Sequence, residues 1–400
     1  MSQKILNKKQ IFDPVHGFIS FSPLLISIID TREFQRLREL SQIGTAFTVF
    51  PSATHTRFEH SLGVSHLSQQ VMLHLQKEQP ELQITNRQVE LVQIAGLLHD
   101  LGHAAFSHVF DNEIAEKHDV FKNDPLFSKY HEQRGCNIFR YMVDKYQINL
   151  SSDEVTLIED LIVPKETQKS WLYQIVANPV NQIDVDKIDY ILRDDRHLGL
   201  KLSGEFSRLI NQVRVIDDEL CYLDKLRYDI VKLFEARFSL HQRVYNHPVG
   251  KSYEYIIGSL MLETMNEYPD MTFLDLTAPV VLSWHIRSEK AKDLLNIIAS
   301  RQHPKLLYDE ILEAPLTSPQ EIDKKVATLI NDDSIRKQIT VYPYTIGFVS
   351  GKKPNPLEHV WYYSSSKNDK FRIKPNAISS LIPKPFQEHG IRIYDIPYKE

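Results

Sequence analysis

A chain of 400 residues, 42% hydrophobic and 25% charged, buries one large core or two modest ones and gives no sign of disorder. Its formal charge of −5 and pI near 6.4 leave no global basic footprint, so nucleic acid is not expected as a main partner and phosphate must be met by local Lys and Arg. The two cysteines, Cys136 and Cys221, lack CxxC spacing, which excludes a disulfide scaffold and a thiolate zinc site and fits a reducing compartment.

The first residues, MSQKILNKKQ, carry no long apolar stretch, and no run of about eighteen apolar residues follows, so a cytoplasmic protein without membrane contact is expected. QIFDPVHGFISF reads as extended, with turn signals at Asp13-Pro14 and His16-Gly17. From about Pro23 to about residue 300, apolar residues recur three or four apart, which predicts a mainly α body. Its helical stretches are PLLISIIDTREFQRLREL, SLGVSHLSQQVMLHLQKE, VELVQIAGLLHDLG, EQRGCNIFRYMVDKY and YDIVKLFEARFSLHQRVY. A short hairpin is expected at Asp217-Asp218. Beyond residue 300 lie ten of the 20 prolines, and QITVYPYTIGFV, EHVWYYS and IRIYDIPY read as strands. The expected division is therefore a helical core over 1–300 and a smaller α/β lobe over 301–400. Gly250-Lys251-Ser252 is not a phosphate loop, because Tyr245 stands where the leading glycine is needed.

The chemistry concentrates in LLHDLGHAAFSH, where His99, Asp100, His103 and His108 interrupt Leu97, Leu98, Leu101, Ala104, Ala105 and Phe106. Their desolvation needs an offset, and a metal ion is the first choice. On a helix His99 and Asp100 diverge by roughly 100°. They share one ion only if distant residues complete the sphere, and His60 in THTRFEHSLGV and Asp186 in NQIDVDKIDYILRDDRHLG are the best of these. Lys187, Tyr190 and Asp194 fall at i, i+3 and i+7, one helix face, where a cation, a ring and a carboxylate suit phosphate, sugar and hydroxyl. Taken singly, each of these residues reads equally well as an ordinary hydrogen-bonded core or surface group.

Together, TRFEHSLGV, GLLHDLGH, FSH, HEQ and DVDKIDY resemble the HD superfamily of metal phosphohydrolases, and more narrowly its deoxynucleoside triphosphate (dNTP) triphosphohydrolases, the dGTPase-like family. The resemblance runs from about residue 9 to about 250 and includes DPVHGFISFSPLL, IIDTREFQRLREL and FSLHQRVYNHPVG. It implies an HD-domain helical core and one divalent ion per subunit, Mn, Mg, Fe or Zn, on His60, His99, Asp100 and Asp186. It further implies that His108 faces the scissile 5′ oxygen, that Asp111 and Glu132 orient it, and that His103 and His131 meet phosphate oxygens. Arg57 and Lys187 would point to phosphates, Tyr190 to the deoxyribose, Asp194 and Gln42 to the 3′ hydroxyl, and Arg237 and Tyr245 to the terminal phosphate and sugar.

The expected reaction is hydrolysis of a dNTP to deoxynucleoside and inorganic triphosphate. Members of this branch often form homotetramers with activating nucleotides, and Asp30, Gln35, Arg38, Arg208 and Lys225 match such positions. Gln212, Phe12 and Pro248 depart from the aromatic, Asn and basic residues of the pattern, so one dGTP- or GTP-like activator site of altered identity, or with its second occupant lost, is expected. Three rivals are another HD phosphohydrolase such as a nucleotidase or alarmone hydrolase, an HD-type di-iron oxygenase using His103 and His131, and a nucleotide-sensing or single-stranded nucleic-acid-binding module without catalysis.

Overall fold

The N-terminal turn signals close a hairpin in which β1 (Lys9–Asp13) pairs antiparallel with β2 (Gly17–Phe21). Asp13 Oδ1 accepts the backbone N–H groups of Val15 and His16 at 2.8 and 2.9 Å, and Gly17 takes the left-handed φ of 75° that closes the turn. This computed structural model describes residues 9–396 except 166, 169, 203, 286, 350, 352, 383 and 384; most of the MSQKILNKKQ segment lies outside the described residues.

The body is mainly α, as the periodicity predicts. Its centre is the helix Arg57–Glu78 packed against Asn86–Leu98 and Val185–Leu198. The Asn86–Leu98 helix begins at a reciprocal cap, Gln88 N–H to Thr85 Oγ1 at 3.1 Å and Thr85 N–H to Gln88 Oε1 at 2.9 Å. Leu62, Val64, Ile94, Leu97, Leu98, Ile188 and Ile191 are buried where these helices meet the main core, each contributing about 1.5–3 kcal/mol on burial. No helix among the described residues is long and apolar enough to cross a membrane.

Two of the expected helices end early. PLLISIIDTREFQRLREL breaks into Pro23–Ile29 and Arg32–Gln35, followed by a tight turn over Arg36–Glu39. Thr31 causes the break: its hydroxyl donates to Ile28 O at 2.7 Å and accepts from Phe34 N–H at 3.3 Å, so it closes one helix and caps the next. The helix through VELVQIAGLL stops at Leu98, so His99 and Asp100 stand at its C-terminal end rather than within it. Phe106 and Ser107 then take left-handed φ values of 58° and 55°, a conformation that no helix running on to His108 permits.

The Asp217-Asp218 hairpin forms as expected, joining β3 (Val213–Ile216) to β4 (Glu219–Leu223). Beyond residue 300, β5 (Lys305–Leu312) and β6 (Ile339–Gly347) flank β9 (Gln387–Asp395) in an antiparallel sheet with its own small core of Val326, Ile330, Ile339, Ile391 and Ile393. Strand β7 (Trp361–Ser364) pairs in parallel with β4, and β8 (Lys367–Phe371) completes that four-stranded sheet. Leu357, Val360 and Tyr362 belong to the main core, so residues on both sides of position 300 share a sheet and a core.

Candidate active site

Three helix ends converge on one point. His60 sits in the first turn of Arg57–Glu78, His99 caps Asn86–Leu98, and Asp186 sits in the first turn of Val185–Leu198. His60 Nε2 lies 3.2 Å from His99 Nε2 and 3.1 Å from Asp186 Oδ1; Asp100 Oδ2 is 3.6 Å from the same nitrogen. His99 Nε2 is 3.4 Å from Asp186 Oδ1 and 3.5 Å from Asp100 Oδ1.

The other ring nitrogens are occupied, His60 Nδ1 donating to Asp189 Oδ2 at 2.7 Å and His99 Nδ1 to Gly96 O at 2.9 Å. Those bonds assign both tautomers and turn two Nε2 lone pairs toward each other. Two lone pairs and the Asp186 carboxylate meet at one point, with Asp100 beside them bonded to Arg57, and such a set favours positive charge among its members. Burial disfavours positive charge on the His60 imidazole, yet Asp186 and Asp189 outweigh it, so the surroundings of this ring favour positive charge. Nitrogen and oxygen donors in this set fit a divalent first-row cation or Mg.

A second group stands beside the first with the opposite polarity. Asp111 Oδ2 lies 3.5 Å from His131 Nδ1, 3.6 Å from His108 Nδ1 and 3.7 Å from His103 Nδ1, while Arg134 holds Asp111 Oδ1. Glu132 Oε1 is 3.4 Å from His131 Nε2, and the His103 and His131 rings stack at 4.1 Å. Burial works against the Asp111 carboxylate, but His108, His131, His103 and Arg134 hold its pKa far below the usual range. Burial, Arg57 and His131 together keep His103 neutral. The His108 side chain is 68% exposed and opens onto a cavity of about 640 Å³.

That cavity gathers every expected substrate-gripping residue, from Gln42 and Arg57 through Lys187, Tyr190 and Asp194 to Arg237 and Tyr245. His60, Asp100, Asp186, His103 and His131 line it too, whereas His99, Asp111 and Glu132 are not part of its lining. Arg57 bonds to Asp100 and donates through Nε to Ser107 Oγ at 2.7 Å, and Lys187 Nζ rests on Asp184 at 2.8 Å. Asp194 accepts from Tyr245 Oη at 2.6 Å and from His55 Nε2 at 2.7 Å, which fixes both side chains. Gln42 Oε1 is buried and has no donor among the described residues. Arg237 donates to Gly347 O of β6.

The expected activator residues lie outside this cavity, in two groups. Asp30 ends the Pro23–Ile29 helix 3.6 Å from Lys9, and Arg38 donates to Gln35 at 2.8 Å while covering the Phe58 ring. Arg208 pairs with Asp229 at 3.1 Å, and Lys225 is in the turn before Arg227–Leu240. Of the departing positions, Phe12 is exposed on β1, Gln212 follows the short helix Ser207–Asn211, and Pro248 opens the helix Pro248–Glu267.

Sequence reasoning missed two sets. Lys251, Glu254 and Tyr342 form part of the cavity wall, Lys251 pairing with Glu254 at 2.8 Å and Tyr342 donating to Glu254 at 2.6 Å. The Lys251–Glu254 pair is a local i,i+3 contact, whereas the Tyr342 contact is long-range and no local pattern carries it. Asp189 was the other omission, and its i+4 partner Arg193 was a usable sign of an inward ion pair.

Against known proteins, the HD domain family model matches residues 57–194, which span both histidine groups. The deoxynucleoside triphosphate triphosphohydrolase SAMHD1 homolog of Dictyostelium discoideum is 35% identical over 411 residues, 98% of this chain and 77% of that protein. The SAMHD1 enzyme of Homo sapiens is 33% identical over 96% of this chain and 70% of its own length, and that of Danio rerio 31% over 98% and 72%. With this extent of identity laid over an assembled His-Asp centre, the chain belongs to the HD-domain family of SAMHD1-type deoxynucleoside triphosphate triphosphohydrolases.

Proposed function

We propose that the protein hydrolyses dNTPs to deoxynucleoside and inorganic triphosphate with one divalent cation, Mn, Mg, Fe or Zn, held by His60, His99, Asp100 and Asp186. The observation that carries this is the opposed pair of Nε2 atoms of His60 and His99 at 3.2 Å, with His60 and Asp186 lining the same cavity as Lys187, Tyr190 and Asp194.

When bound, the cation supplies Lewis acidity and a lowered pKa for water. Arg57 and Lys187 neutralise phosphate charge, with His103 and His131 in contact with phosphate oxygens. Water attacks the α-phosphorus; a new P–O bond forms as the bond to O5′ breaks, and His108 gives its proton to the departing O5′. Asp111, with Glu132 beyond His131, holds the imidazoles in the orientation that this transfer needs. Asp194 and Gln42 take the 3′ hydroxyl, Tyr245 and Arg237 the sugar and terminal phosphate. Tyr190 packs against C2′, where a ribose hydroxyl collides with it.

The same reading includes a homotetramer in the cytoplasm, activated by a dGTP- or GTP-like nucleotide through Asp30, Gln35, Arg38, Arg208 and Lys225. A second reading, a two-metal oxygenase, draws on the closeness of His103, His108, Asp111 and His131. It is disfavoured because their Nδ1 atoms converge on a carboxylate already bonded to Arg134.

Incubation with each dNTP and with mixtures, in Mn or Mg, tests the proposal through the product released. Inorganic triphosphate is expected; pyrophosphate or monophosphate as the product, or cleavage of ribonucleotides alone, sinks it.

A further inference from the structure

We propose that the turn of the N-terminal hairpin is a working part of the cation site: His16 and Asp13 position His60 through Asp189 and Arg193, and so set how tightly the cation is held. Both turn residues lie well before residue 57, where the HD domain match begins.

The contacts form one unbroken chain. Asp189 Oδ2 accepts from His60 Nδ1 at 2.7 Å and from Arg193 Nε at 2.8 Å, and Oδ1 accepts from His16 Nε2 at 2.6 Å and from the Arg193 fork at 3.1 Å. Four donors on two oxygens saturate the carboxylate. Arg193 reaches on to Asp13 Oδ2 at 2.9 Å, and Asp13 uses its other oxygen to shape the turn that carries His16.

Asp13, Asp189, Arg193 and His60 are all buried, so each bond acts at low dielectric. A Cβ at Gly63 would collide with the Asp189 carboxylate, so the Arg57–Glu78 helix carries a glycine where that carboxylate packs against it. With Asp13, Asp189 and, at 3.6 Å, Glu59 against one arginine, the assembly leaves net negative charge behind the His60 ring. That charge holds the Nδ1 proton and raises the donor strength of Nε2. Without His16, Asp189 loses one of its two imidazole anchors and the His60 ring its fixed angle.

Binding of Co²⁺ to the full chain, with its absorption spectrum, tests this directly. His16→Gln keeps a side-chain N–H at the reach of Nε2, whereas His16→Leu has similar bulk and no donor. His16→Leu is expected to weaken Co²⁺ binding about 10- to 100-fold and shift the spectrum, with His16→Gln within about threefold of wild type. Asp13→Asn, further from the cation, should weaken binding less, and it stands in should His16→Leu fail to fold. Wild-type dissociation constants and spectra in folded His16→Leu or in Asp13→Asn overturn the inference. The inference rests on His60 being a ligand: a wild-type chain that takes up no Co²⁺ ends that reading, while binding that ignores the turn ends this one alone.

Discussion

Two neighbouring histidine groups use the same residue types with their rings turned opposite ways. In the His60–His99 group each Nδ1 is spent on a protein acceptor and the Nε2 atoms face each other. In the His103–His108–His131 group the Nδ1 atoms gather around Asp111 Oδ2, which leaves Nε2 for other partners. The first arrangement presents lone pairs to a cation. The second turns its Nδ1 atoms toward a carboxylate, which on the proposed reading orients an acid and the groups that meet phosphate. Which nitrogen is tethered, rather than how many histidines are present, separates a metal ligand from a proton donor.

The comparison can be broken where its effects are largest. Asp186→Ala removes a carboxylate from the first group and should take triphosphate release from dNTPs to background, measured with Mn at saturating substrate. His108→Ala acts only in the second group: kcat should fall about 10²- to 10⁴-fold while cation affinity stays unchanged. Joint loss of cation binding in that variant would merge the two groups and revive the two-metal reading. In thermal unfolding, Mn at 100 times its dissociation constant should stabilise wild type by about 2.7 kcal/mol, with His108→Ala responding equally and Asp186→Ala not at all. Tyr190→Ala tests the cavity rather than either group. Its preference for dNTP over rNTP in kcat/KM should fall about 10- to 200-fold, and an unchanged ratio would remove Tyr190 from sugar selection.

Much of this centre was legible because its residues are chemically costly where they stand. His99, Asp100, His60 and Asp186 announce themselves as ionisable groups among apolar neighbours; the structure gathers His60, His99 and Asp186 and sets Asp100 beside them, bonded to Arg57. Asp189 was lost among Asp184, Asp186, Asp194 and Asp195, because composition does not say which aspartates of one helix turn inward. Periodicity alone carries the PLLISII helix through Thr31, whose hydroxyl ends it, and carries the VELVQIAGLL helix through the His99-Asp100 doublet. The left-handed backbone at Phe106 and Ser107, which ends helical continuity before His108, has no local signature because neither residue is Gly or Asn. Lys251 and Glu254 pair at i,i+3 on one helix, but Tyr342 joins them only because β6 folds back across the cavity, a placement fixed by β9 rather than by any motif.

On the proposed reading, one cation is held by His60, His99, Asp100 and Asp186. Equilibrium dialysis against Mn²⁺ tests it most directly. One ion bound per chain in wild type and none in Asp186→Ala is the expected result; no binding by wild type, or undiminished binding after the substitution, would contradict it.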